Sequence, residues 1–136
     1  MNGKQVDIRE AIGPLFGGLE EAKADVTGMF GLHWLVTQGA LPKDRLEEYY
    51  ASYVGGVFRT LRFGTGEAHG KAMLMEFNVL VESKALTFTG GRYVIDYSRM
   101  PDAIANIAKQ LLTFEARGDR AGAEAWFREY GSVPAI

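Results

Sequence analysis

Two stretches of this 136-residue chain gather the side chains that could do chemistry. The first is Leu19-Glu20-Glu21-Ala22-Lys23-Ala24-Asp25, three carboxylates opening a segment that then turns almost wholly apolar. From Ala24 to Val36 the only polar side chains are Asp25, Thr27 and His33. A helix apolar on every side is expected in an interior, so these acids are carried toward buried ground. Glu21 and Asp25 are four apart and share a face, where like charges repel by about 0.2–0.5 kcal/mol even on a solvated helix. Burial raises that cost unless a cation, a proton or a hydrogen-bond donor answers the acids. The pattern points to a site. The plainer alternative pairs Glu20 with Lys23 on a solvated first turn and lets Asp25 bond locally.

The second stretch is Gly64-Thr-Gly-Glu-Ala-His-Gly-Lys71. It places His69 just inside a helix that follows a glycine-containing loop. The small neighbours Ala68, Gly70 and Ala72 leave room for a ligand or another backbone beside the imidazole. Glu76, seven residues on, lies along the same face and could orient one ring nitrogen. A helix-start histidine that packs and finds a hydrogen bond is the alternative. His33 lies among Met29, Phe30 and Trp34 and reads as a satisfied core histidine. It sits about 120° around the helix from Glu21, on a different face.

Other chemistries lack their residues. There is no cysteine, hence no disulfide, thiolate nucleophile or Cys-type zinc site. Neither histidine belongs to an HExxH or HExxxH motif, and a catalytic zinc takes three protein ligands. The spacing of Gly64, Gly66 and Gly70 matches neither a dinucleotide fingerprint nor a phosphate loop. Arg59, Arg62 and Lys71 could form a local basic patch, though scattered charges are usually solvated surface. Net charge −2 makes no electrostatic case for nucleic acid or an anionic membrane. The opening MNGKQVDIRE has no signal-peptide core and no run reaches membrane-spanning length, so a cytoplasmic location is expected.

The elements that must position these residues are mostly helical. A short helix is expected over 6–16, leading into Gly17-Gly18. The acidic helix follows from about Leu19 to Thr37, with Gly39 as its stop signal. A third runs from Pro42 to about Leu61, and a fourth from about Glu67 to Ser83. Ala85-Leu-Thr-Phe-Thr, Gly90-Gly91 and Arg92-Tyr-Val-Ile-Asp96 form a hairpin signal. Pro101 opens a helix ending at Gly118, and Asp119 caps a last helix to about Tyr130. The expectation is a mostly α fold, five to six helices with one small β-hairpin (about 85–96), in a single helical domain over 1–136.

LEEAKADVTGMFGLHWLV resembles the second zinc motif, EExxA[ED], of the dipeptidyl-peptidase III family of zinc metallopeptidases, particularly its bacterial relatives. FRTLRFGTGEAHGKAMLMEFNVLVESKAL is similar to the family segment that carries an active-site histidine on a helix. The two motifs occur in the family's order, and the resemblance extends from about Val6 onward.

The resemblance implies that Glu21 is the zinc-ligand glutamate, and that Glu20 and Asp25 are carboxylates that orient the other ligands. It implies that His69 is the catalytic histidine, hydrogen-bonding substrate or the oxyanion of peptide hydrolysis. Asp25 stands where the eukaryotic enzymes commonly carry glutamate. The family's first motif, HExxGH, which supplies two zinc histidines and the water-activating glutamate, has no counterpart here, and no histidine precedes Glu20. The chain is therefore expected to be the C-terminal part of a longer zinc hydrolase. Alone it should be inactive and bind zinc weakly or not at all. Its expected partners are the upstream remainder of the parent chain and the parent's peptide substrate. Such a part would expose an apolar face near the first helix, covered by that remainder or in a homodimer. The alternative function is a helical binding module without catalysis.

Overall fold

The computed structural model describes residues 5–133. Asp7 caps α1 (Ile8–Ile12) by accepting a hydrogen bond from the Arg9 backbone N–H. A 3₁₀ turn over Gly13–Leu15, with Pro14 at its start, leads directly into α2 (Phe16–Thr37). The expected first helix over 6–16 is thus a single turn. Gly17 and Gly18 lie inside α2 and do not precede it. Their role is close approach: a Cβ at Gly18 would press on the Phe127 ring at 3.0 Å, and one at Gly17 would meet the Ala68 Cβ at 3.8 Å. Tertiary contact overrides the weak helix propensity of the pair.

Gly39 ends α2 as expected, with φ +74° and its N–H bonded to the Val36 carbonyl. A 3₁₀ turn at Lys43–Arg45 opens α3 (Leu46–Leu61). The loop from Arg62 to Glu67 leads into α4 (Ala68–Glu82). Strands β1 (Leu86–Thr89) and β2 (Arg92–Ile95) pair antiparallel, Leu86 opposite Ile95 and Thr89 opposite Arg92. Gly90 and Gly91 both take positive φ, as a tight two-residue turn requires. The α5 helix (Met100–Arg117) ends at Gly118 in the left-handed conformation, and Asp119 caps α6 (Arg120–Tyr130) through the Gly122 N–H. The described residues thus form six helices and one hairpin, a mostly α fold as read from sequence.

The α4 helix is the axis of the domain. Gly70, Ala72 to Phe77, Val79 and Leu80 are all buried, and the helix touches α2, α3, α5, α6 and β1. Around it lie Leu19, Ala22 and Val26 of α2, Tyr50, Val54 and Val57 of α3, and Ile104, Ile107 and Leu111 of α5. Phe58, Phe77 and Tyr93 stack within 5.0–5.8 Å and seat the hairpin on α3 and α4.

The α2 helix departs from its expected burial. Its first half buries one face through Gly18, Leu19, Ala22 and Val26, but Phe30 and Trp34 are 50% and 54% exposed and Leu35 is also open. All-round apolarity signals an interior, yet no element among the described residues covers this side of α2.

Candidate functional site

The acidic opening of α2 and the first turn of α4 are brought together by small residues. Gly17 and Gly18 of α2 face Ala68 of α4 at van der Waals range, which lets the two helices approach closely. Gly70 is needed for a second reason. A Cβ there would overlap the carbonyl oxygen of Gly64, so the loop lies directly across the start of α4.

At this crossing the Glu21 Oε2 and His69 Nδ1 atoms are 3.0 Å apart, a hydrogen bond between residues 48 apart in sequence. Both side chains are 49% exposed. The two residues face one surface. Glu21 fixes one ring nitrogen, and Nε2 has no hydrogen-bond partner among the described residues. His69 also lines a concavity of about 650 Å³ beside Arg59, Arg62, Phe63 and Gly64.

Asp25, one turn beyond Glu21, points toward the helix interface. Burial pushes its carboxyl above the ordinary range and the Glu21 charge adds to this, while His69 opposes it. Its Oδ2 is buried without a partner. Behind it lies Glu76, fully buried, whose Oε2 accepts a hydrogen bond from the Tyr53 hydroxyl while Oε1 has no partner. Desolvation raises the Glu76 carboxyl well above the usual value, Asp25 raises it further, and the Tyr53 bond only partly offsets them. Burial raises the Tyr53 hydroxyl as well, with Glu76 adding to the effect.

Glu76 therefore does not orient His69. Seven residues from the histidine, it faces the core, and Glu21 takes the imidazole nitrogen instead. The buried Glu76–Tyr53 pair was not singled out from sequence. The signal was present, since AMLMEFNVLV sets one carboxylate inside an otherwise apolar helix.

Glu20 sits around the helix from Glu21, in an ion pair with Lys23. Lys23 in turn reaches Glu115 of α5 at 2.8 Å. Hydrogen bonding from Glu115 and then Lys23 holds the Glu20 carboxyl below its ordinary value, and burial raises Glu115. The lysine partner weighed for Glu20 is therefore present, extended by a third charge that ties α2 to α5. His33 Nδ1 lies 2.9 Å from the Tyr50 hydroxyl. It is partly buried and hydrogen-bonded, as its apolar surroundings suggested.

Among the described residues no group of three His, Cys, Asp or Glu side chains is arranged to hold a metal ion. Glu21 and His69 are one exposed carboxylate and one imidazole. A zinc ion needs at least three protein donors, so these residues fit part of a coordination shell and cannot complete one. No helix of the described residues is long and apolar enough to cross a membrane.

No family model matches the chain. A protein of Arabidopsis thaliana named Nudix hydrolase 3 is 33% identical over 132 residues, which is 96% of this chain and 17% of that protein. Dipeptidyl-peptidase III from Caldithrix abyssi superposes with a TM-score of 0.92 at 31% identity, covering 96% of this chain and 25% of that one. The enzyme from Corallococcus sp. strain EGB gives a TM-score of 0.91 at 32% identity, over 97% of this chain and 25% of that one. The chain thus spans about a quarter of the length of these structures. Across nearly its whole length this is a dipeptidyl-peptidase III-like polypeptide.

Proposed function

We propose that this chain supplies the glutamate side of a zinc peptidase site, as the C-terminal part of a longer catalytic domain. The observation that carries the reading is the Glu21–His69 contact at the α2–α4 crossing, in a fold shared with dipeptidyl-peptidase III over a quarter of that enzyme's length. Glu21 offers one carboxylate as ligand. Asp25, turned inward one helical step away, is the carboxylate that braces the ligand set. For Glu20 to share that task it must give up Lys23, which holds it in a part-buried ion pair that also reaches Glu115 of α5.

When bound, zinc polarises a water and a peptide carbonyl. His69 donates its Nδ1–H to Glu21, so it is the imidazolium, with both nitrogens protonated, that presents an Nε2–H to the carbonyl oxygen that gains negative charge. A donor so placed is worth about 10²–10³ in kcat. The general base and remaining ligands come from residues outside those described.

The test is complementation. The 136-residue chain is mixed with a polypeptide bearing the HExxGH portion of a dipeptidyl-peptidase III, and zinc-dependent release of a dipeptidyl naphthylamide is followed. The chain alone should be silent and bind zinc weakly. The mixture should hydrolyse, Glu21→Ala should abolish the rate, and His69→Ala should lower kcat. Full activity in Glu21→Ala sinks the ligand assignment.

The exposed Phe30 and Trp34 face favours a second reading, a helical binding module without catalysis. That reading gains if the mixture associates through this face but never hydrolyses.

A further inference from the structure

The concavity beside His69 has a composition that the peptidase reading leaves unused. Arg59 and Arg62, three residues apart where α3 ends, stand on its wall with Thr60 and Phe63. Among the described residues neither guanidinium has a carboxylate within salt-bridge distance. Among the described residues Glu67 is the only acid on the same wall, so two cations face one anion there. The Arg62 guanidinium lies 5.1 Å from the centroid of the Phe63 ring. Stacking on an aromatic face leaves the guanidinium edge open for a two-point contact with a carboxylate. Phe63 itself is 79% exposed, beside the same charge. At about 650 Å³ the space takes a whole side chain with its backbone.

We propose that the Arg59–Arg62 concavity is a subsite for a carboxylate of the bound peptide. The proposal rests on His69 facing substrate, because His69 closes one side of the same space. A carboxylate there receives the paired N–H edge of an arginine, a geometry that lysine or a hydroxyl does not reproduce. It lies near enough to His69 that filling the subsite places the neighbouring peptide group beside the imidazole. The carboxylate could be an acidic side chain or a free peptide C-terminus, since both present the same pair of oxygens.

The experiment is a nuclear magnetic resonance titration of the isotope-labelled 136-residue chain with three probes. These are a tri-glutamate peptide blocked at both ends, its tri-glutamine counterpart blocked likewise, and the tri-glutamine peptide with a free C-terminus. Blocked tri-glutamate should shift the Arg59 and Arg62 Nε–H signals and the amides from Gly64 to Gly70, and blocked tri-glutamine should not. Arg59→Gln and Arg62→Gln should each weaken that binding about tenfold. Both side chains are exposed, so the variants should keep the native spectrum elsewhere. Added salt should weaken binding in parallel. Equal shifts with the free-terminus peptide show that either carboxylate fills the subsite; shifts with tri-glutamate alone assign it to an acidic side chain, and shifts with the free-terminus peptide alone assign it to the C-terminus. Equal shifts with both blocked peptides, or undiminished binding in both variants, overturn the subsite. The titration needs neither zinc nor turnover. A chain that binds tri-glutamate yet never complements activity therefore keeps the subsite and loses the peptidase reading, and the converse result does the reverse.

Discussion

Glu21 of α2 and His69 of α4 meet through a 3.0 Å hydrogen bond between side chains that are each half exposed. The bond joins the two stretches whose residue types suggested chemistry, and it orients the imidazole at the edge of a concave surface. It is poorly placed to stabilise the fold, because solvent screens exposed ion pairs to about 0–1 kcal/mol. Glu21→Ala and His69→Ala should each move the denaturant midpoint by no more than that. The same substitutions should strongly lower zinc-dependent turnover of the complemented enzyme. A large loss of stability in either variant would mark the pair as structural.

Glu76 makes the opposite prediction. Its raised carboxyl stays protonated in the folded chain while the unfolded chain ionises near 4.5. Stability from this group is therefore complete below that value and declines as pH rises toward the folded-state value. The slope reaches about 1.4 kcal/mol per pH unit for a single group. Asp25, raised mainly by burial, adds a decline of the same sign beginning near 3.8. Glu76→Gln keeps the shape and a partner for Tyr53 but removes the ionisation, so it should flatten the decline and be more stable than wild type at pH 8. Urea melts between pH 4 and 8 check this. An unchanged slope in the Gln variant would mean that Glu76 is ionised in the native state.

Gly70→Ala tests how the loop is held against α4. The added Cβ meets the Gly64 carbonyl, backbone that cannot swing aside as a side chain can. The expected cost is about 1–3 kcal/mol, with amide shifts concentrated between Phe63 and His69. Gly66→Ala is the control, because nothing lies within 4 Å of a Cβ there, and its effect should be much smaller.

Phe30 and Trp34 should be nearly neutral for the isolated fold. Replacing both by serine removes exposed apolar surface and should leave the melting free energy within about 0.5 kcal/mol per site. In the complementation mixture the double variant should bind the HExxGH-bearing polypeptide more weakly, measured by sedimentation. Undiminished binding would place the contact elsewhere.

Leu80 provides the core reference. It is fully buried on the most enclosed helix, and Leu80→Ala should cost about 2–5 kcal/mol through lost transfer energy and the cavity left behind.

Much of the architecture was legible because its signals are local. Gly39, Gly90-Gly91, Gly118 and Asp119 punctuate the chain through backbone conformation and capping, which depend on few neighbours. The hairpin and the later helices follow from them. Gly17-Gly18 misled, since two glycines read as a break until the Phe127 ring and Ala68 are seen to need their missing side chains. Glu76 and His69 both lie along α4, so spacing alone offers Glu76 as a partner for the histidine. Helical spacing says which residues share a face, but only the packing of α3 shows that Tyr53 occupies the other end of that face.

The sequence by itself determined a mostly α chain, an acidic turn ahead of an apolar helix, and a histidine at the head of another. These are properties of periodicity, capping and residue type within one segment. Tertiary structure alone decided that Glu21 meets His69, that Lys23 and Glu115 hold Glu20, and that Arg59 and Arg62 stand on the wall of the space His69 lines. Each is a distance between elements set by close helix packing, which a one-dimensional pattern does not encode.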